Sequence, residues 1–173
     1  LVGDAVSFAE QSAHEMANVA REAGLPEPLR DEVLALNAAA GRALLTGDWS
    51  EYARLREAGL ASPWAPVARG FPAPGDSIWT FYGEAFSFDP MPYWVLVRQP
   101  TLILYGEEDE ADNVAVAESV RRLSFGFGVA GKENYEIVVI PGAGHTLGWT
   151  AESGLGGEAA AAIRRWLAAH VPA

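Results

Sequence analysis

A chain of 173 residues, half of them hydrophobic, suits one domain or a domain with an appendage and supplies enough apolar side chains for a real core. A formal net charge of -11, with Lys132 as the one lysine, repels phosphate backbones and argues against a nucleic-acid partner. The lack of cysteine excludes disulfides, thiolate nucleophiles and Cys-type zinc sites, no apolar run approaches a membrane span, and His14, His145 and His170 are too scattered for a metal cluster.

The opening Leu1-Val-Gly-Asp-Ala-Val6 has no initiator Met, basic n-region or cleavage pattern, so it does not start like a signal peptide. It is expected to be the end of a buried core strand (residues 1–7) whose beginning precedes it. Phe8 to Ala23 predicts a helix with Met16 and Val19 inward and Gly24 as the stop signal. Pro26 and Pro28 suit the start of a second helix, in which Leu29, Val33, Leu36, Ala40 and Leu44 recur at helical spacing up to Gly47. Asp48 or Ser50 is placed to cap a third, with Tyr52 and Leu55 on one face. These three helices are expected to pack on one another.

From Pro63 to Pro74 the chain is rich in Pro, Gly and Ala and predicts a loop with room for a short helix. Asp76 or Ser77 then caps the aromatic segment Ile78-Trp-Thr-Phe-Tyr82, which continues to Phe86 and Phe88. Such aromatic density serves either as core packing or as the wall of a ligand pocket, with Trp79, Tyr82, Tyr93 and Trp94 as the pocket candidates. Asp89-Pro-Met-Pro-Tyr-Trp94 predicts a turn and a short helix.

The last third reads strand, acidic loop, helix, strand, histidine loop. Pro100-Thr-Leu-Ile-Leu-Tyr105 and Tyr135-Glu-Ile-Val-Val-Ile140 are short apolar runs that suit parallel strands buried on both faces. The stripe Val116, Val120, Leu123 and Phe127 supplies the crossover helix that parallel pairing requires. Glu158 to His170 predicts a final helix, with Ile163, Trp166 and Leu167 inward and Arg164 and Arg165 outward. Gly106-Glu-Glu-Asp109-Glu-Ala-Asp112 follows the first strand and Pro141-Gly-Ala-Gly-His145 the second. A carboxylate and a histidine therefore fall on the carboxyl edge of one sheet, where open α/β sheets place their sites. The acidic run lacks the alternating ligand spacing and central glycine of a calcium loop.

Pro100-Thr-Leu-Ile-Leu-Tyr-Gly-Glu-Glu-Asp109, followed by Pro-Gly-Ala-Gly-His145, resembles the C-terminal half of an α/β-hydrolase. Asp89-Pro-Met-Pro-Tyr-Trp94 resembles the end of the inserted helical cap in bacterial esterases and acyl-peptidase-like hydrolases. The resemblance implies three parts: a strand end over 1–7, a helical cap over 8–98, and the C-terminal part of the α/β core over 99–173. It also implies that Asp109 is the catalytic acid and His145 the base, in the fold's chain order of nucleophile, acid, histidine. The loop from Asp109 to Val114 is longer than the family's usual passage, which makes Asp112 an alternative acid, and Ala115 replaces the usual proline. No Gly-x-Ser-x-Gly elbow occurs: Gly75-Asp-Ser77 and Glu152-Ser153-Gly154 each lack a glycine, and neither follows a predicted strand.

The expectation is therefore a fragment of a serine hydrolase acting on an ester, thioester or amide, with the nucleophile in a missing N-terminal half and this chain inactive alone. An aspartate nucleophile, as in dehalogenases and epoxide hydrolases, is a variant. The alternative from another class is a non-catalytic binding or assembly domain that keeps the hydrolase shape. No metal or other cofactor is expected. Besides a small ester or amide substrate, the expected partner is the N-terminal half or a second copy, covering the open edge of the strand at Pro100. The cytoplasm is the favoured compartment.

Overall fold

The computed structural model describes residues 5–170, which form two compact units: Ser7–Phe88, and residues 5–6 with 89–170. The first is helical. Ser7 starts α1 (Phe8–Glu22) with a capping box: its hydroxyl accepts from the Glu10 N–H, and the Glu10 carboxylate accepts from the Ser7 N–H at 2.9 Å. α2 (Glu27–Thr46) has proline at its start and ends on Gly47, whose φ of 78° only glycine adopts without cost. α3 (Ser50–Leu60) has Trp49 at its N-cap with no side-chain cap bond; one residue earlier, the Asp48 carboxylate accepts from the Ser50 N–H at 2.9 Å. That bond holds the Asp48 carboxyl below its ordinary value. α4 (Ala65–Ala68) is the short helix inside the Pro/Gly/Ala loop, and α5 (Ile78–Phe86) carries the aromatic segment.

Val33, Leu36 and Ala40 of α2 meet Tyr52, Trp64, Phe71 and Trp79 in one core. Trp64 lies against Gly59 so closely that a Cβ there would strike its ring. Tyr52 and Trp79 stack edge-on with centroids 5.3 Å apart, and Trp79 meets Tyr82 the same way at 5.6 Å. Each buried polar edge has a partner. Tyr52 donates to the Pro72 carbonyl at 2.6 Å, Trp64 to the Glu32 carboxylate at 2.7 Å, and Trp79 to the Ala73 carbonyl at 2.8 Å.

The second unit holds two parallel strands, β1 (Thr101–Gly106) and β2 (Tyr135–Ile140), in register from Thr101 opposite Tyr135 to Gly106 opposite Ile140. α7 (Val116–Val129) links them. Side chains alternate across the pleat. Ile103, Tyr105, Tyr135 and Ile137 pack with Leu123 and Phe127 of α7 and with Met91 and Trp94 of α6 (Met91–Trp94). Leu104, Val138 and Ile140 pack on the other face with Ala159 and Ala162 of α8 (Gly157–His170). The chain is thus a mixed, mostly helical protein with a small two-stranded parallel sheet, within the α/β class.

Several expectations need correction. By its contacts, Asp89–Trp94 packs with the strand unit, and the division between the two compact units falls after Phe88. β2, expected to be buried on both faces, is mostly half-buried, and Val139, on the same face as Tyr135 and Ile137, is exposed. Leu167, expected inward, is 44 % exposed, while Ala159 and Ala162 take the buried positions. Met16 and Val19, expected inward, are both half-buried, and Met16 packs against the helical core. Of the expected opening strand, residues 1–4 lie outside the described residues, and Ala5 and Val6 are buried but not in a strand.

Candidate functional site

Both site loops leave the carboxyl ends of neighbouring parallel strands, and three features bind them together. Gly106 ends β1 against the histidine loop: a Cβ there would collide with the backbone carbonyls of Ala143 and Gly144. The next turn brings the Glu108 N–H to the Ala143 carbonyl at 2.9 Å. From the same turn, the Glu107 carboxylate accepts from the Gly142 N–H at 3.1 Å. Gly142 has a φ of 63°, which turns the histidine loop back toward β1.

The acidic run itself winds into a 3-10 helix over Glu107–Ala111. This rotates Asp109 inward, where it is 4 % exposed. Its Oδ2 lies 2.8 Å from Nδ1 of His145, within strong hydrogen-bond range. The Asp109 carbonyl accepts from the N–H groups of Asp112 and Val114, which fixes the backbone around the carboxylate. Its Oδ1 is buried with no hydrogen-bond partner among the described residues. His145 keeps 45 % of its side chain exposed. The pair therefore joins a buried carboxylate to an imidazole open at its far edge. An ionised carboxylate on Nδ1 requires the proton there, so Nε2 is the free basic nitrogen.

The sequence candidates divide clearly. Asp109 and His145 meet. Asp112 is exposed and ends the 3-10 helix with φ -105° and ψ -103°, away from helical values. Trp79 and Tyr82 line a cavity of about 310 Å³ inside the helical unit, together with Phe8 and Phe86. Tyr93 and Trp94 lie in the strand unit and are not among its lining residues: Tyr93 is 62 % exposed, and Trp94 meets Phe127 edge-on with centroids 6.5 Å apart. The cavity within the helical unit thus takes two of the four aromatics. Ser77 precedes α5 in the helical unit, and Ser153 bonds Thr150 at 2.7 Å in a small turn. Among the described residues, no three His, Asp or Glu side chains converge as a metal set would. No described helix is long and apolar enough to cross a membrane.

No family model matches this chain, and neither a curated protein nor a solved structure does. The weight of a functional assignment rests on the site's own geometry. Sequence reasoning missed the parts played by Gly106 and Glu107. A glycine directly at a strand end is the one visible signal for the first. Nothing in a run of four acidic residues singles out the second.

Proposed function

We propose that Asp109 and His145 are the acid and base of a hydrolytic triad acting on an ester, thioester or amide, with the nucleophile outside these 173 residues. The observation that carries this is the 2.8 Å bond from the His145 imidazole to a buried carboxylate, at the carboxyl ends of two adjacent parallel strands. Asp109 holds the Nδ1 proton and the ring orientation. Nε2 then accepts the proton of an attacking hydroxyl as that oxygen bonds the substrate carbonyl carbon. The same proton passes to the leaving oxygen, sulfur or nitrogen as its bond to carbon breaks, which leaves an acyl-enzyme. Water attacks the acyl carbon in turn and gives a proton to Nε2, and that proton restores the nucleophile's hydroxyl. The buried carboxylate stabilises the imidazolium formed in both steps.

No Gly-x-Ser-x-Gly occurs in the sequence, and His145 has no hydroxyl partner among the described residues. The 173-residue chain should therefore not react with a fluorophosphonate serine probe. A longer polypeptide carrying the N-terminal half should label at one serine and lose labelling in His145→Ala. Labelling of Ser77 or Ser153 in the 173-residue chain would overturn the proposal. A longer polypeptide that never labels would favour an aspartate nucleophile or a non-catalytic binding domain, and trapping of an acyl or alkyl ester on an aspartate separates those two.

A further inference from the structure

The acidic residues that follow β1 serve different elements. Glu107 and Glu108 are exposed, Asp109 is buried and Glu110 is half-buried. Asp109 Oδ2 meets His145, and Glu108 contributes its backbone N–H to the Ala143 carbonyl. Glu107 accepts from the Gly142 N–H at 3.1 Å, in the loop that carries the base. Glu110 accepts from the Ala117 N–H at 2.7 Å, in the first turn of α7. That helix has Ala115 at its N-cap, with no side-chain cap bond, so a carboxylate from the acidic turn satisfies one of its open N–H groups. The two glutamates thus tie the turn that holds the acid to its neighbours on both sides.

We propose that Glu107 and Glu110 are positioning residues for the Asp109–His145 pair. A 2.8 Å bond between side chains 36 residues apart in sequence requires the backbone on each side to be held. Glu107 holds the histidine loop from the acid's side, through Gly142. Glu110 holds the 3-10 turn against the start of α7, through Ala117, and so fixes the backbone that carries Asp109. Bonds from a carboxylate to a backbone N–H are stronger than neutral ones, which suits them to hold short loops in place. Each glutamate acts on the pair through the backbone it holds. The consequence for catalysis rests on the hydrolytic role proposed for Asp109 and His145, whereas the positioning itself does not.

The test reads the tautomer of neutral His145 in the full 173-residue chain, from the nitrogen shifts of its imidazole. The tautomer belongs to the folded state, so a change in stability alone does not move it. The bond to Asp109 favours the Nδ1–H form. Glu107→Ala and Glu110→Ala should each lower the ratio of the Nδ1–H to the Nε2–H form by about 5-fold. Glu107→Gln and Glu110→Gln keep an oxygen acceptor and should stay within about 2-fold of the parent. Glu108→Ala removes a carboxylate but keeps the N–H bonded to Ala143, and should match the parent. Far-UV ellipticity checks that each variant is folded. A parental ratio in either alanine variant, a loss in the glutamine variants as large as in the alanine ones, or an equal loss in Glu108→Ala would each overturn the proposal. This readout needs no nucleophile, so its failure is separable from a failure of fluorophosphonate labelling in the longer polypeptide.

Discussion

The helical unit and the strand unit solve the problem of burial differently. The helical unit gathers its apolar side chains into one cluster around Val33, Leu36, Tyr52 and Trp64. The strand unit divides its own between the two faces of a narrow sheet. Buried polar atoms sharpen the contrast. Tyr52, Trp64 and Trp79 each donate to a partner. The buried side-chain atoms left without one among the described residues are Asp109 Oδ1, Asn113 Oδ1 and Trp166 Nε1, all in the strand unit. A buried group without a partner costs free energy. Polar groups in the helical unit complete the packing. The carboxylate of Asp109 is divided: its Oδ2 meets His145 while its Oδ1 stays buried without a partner among the described residues.

Substitutions can break this contrast, starting with the largest expected effect. Trp64→Ala removes a fully buried indole that rests on Gly59 and should lower stability by about 4 kcal/mol in urea unfolding. Gly106→Ala drives a methyl group into the Ala143 and Gly144 carbonyls. It should cost about 3 kcal/mol and erase the downfield imidazole N–H resonance of His145. A variant as stable as the parent would show that the two loops are not tied at Gly106.

Tyr52→Phe deletes a buried hydroxyl and leaves the Pro72 carbonyl without its donor, a loss of about 1.5 kcal/mol. Burial pushes the Tyr52 phenol up to about 12, against a smaller opposing pull from the Arg56 guanidinium. The folded protein thus favours the neutral phenol. The stability this provides is complete below about pH 10 and is lost as the pH rises toward 12. Unfolding followed from pH 9 to pH 12 should show that decline in the parent, and a shallower one in Tyr52→Phe. Asp109→Asn keeps the size of the side chain and one oxygen acceptor and should have the smallest effect, within about 1 kcal/mol. It should still abolish the His145 N–H signal. A large loss of stability would place Asp109 with the packing groups of the helical unit and remove the contrast.

Much of this was legible in the chain. The period of 3.6 in Val33, Leu36 and Ala40, and in Val116, Leu123 and Phe127, marked helix faces that are buried. Two short apolar runs marked both strands, and their spacing implied the crossover between them. The meeting of Asp109 with His145 followed once both loops were assigned to one sheet edge. The choice between Asp109 and Asp112 was not legible. Three residues apart in a 3-10 helix, they occupy equivalent positions, and only the break in backbone angles at Asp112 turns one out to solvent. Nor could helical period show that Leu167 faces outward, since a sheet two strands wide has little area to offer α8 and small alanines fill the contact. The boundary at Phe88 escaped because Pro90 and Pro92 read equally well as the end of one unit or the start of the next.

The parallel register of β1 and β2 also sets when the site comes into being. Asp109 and His145 are 36 residues apart in sequence. They meet only after the chain between Thr101 and Tyr135 has closed on itself, which costs loop entropy before any contact returns it. The contacts between successive helices in the helical unit span shorter stretches and form sooner. In a refolding experiment, helical ellipticity should therefore rise first and the imidazole signal of His145 last. The hydrogen bond at the sheet edge then serves as a clock for completion of the fold.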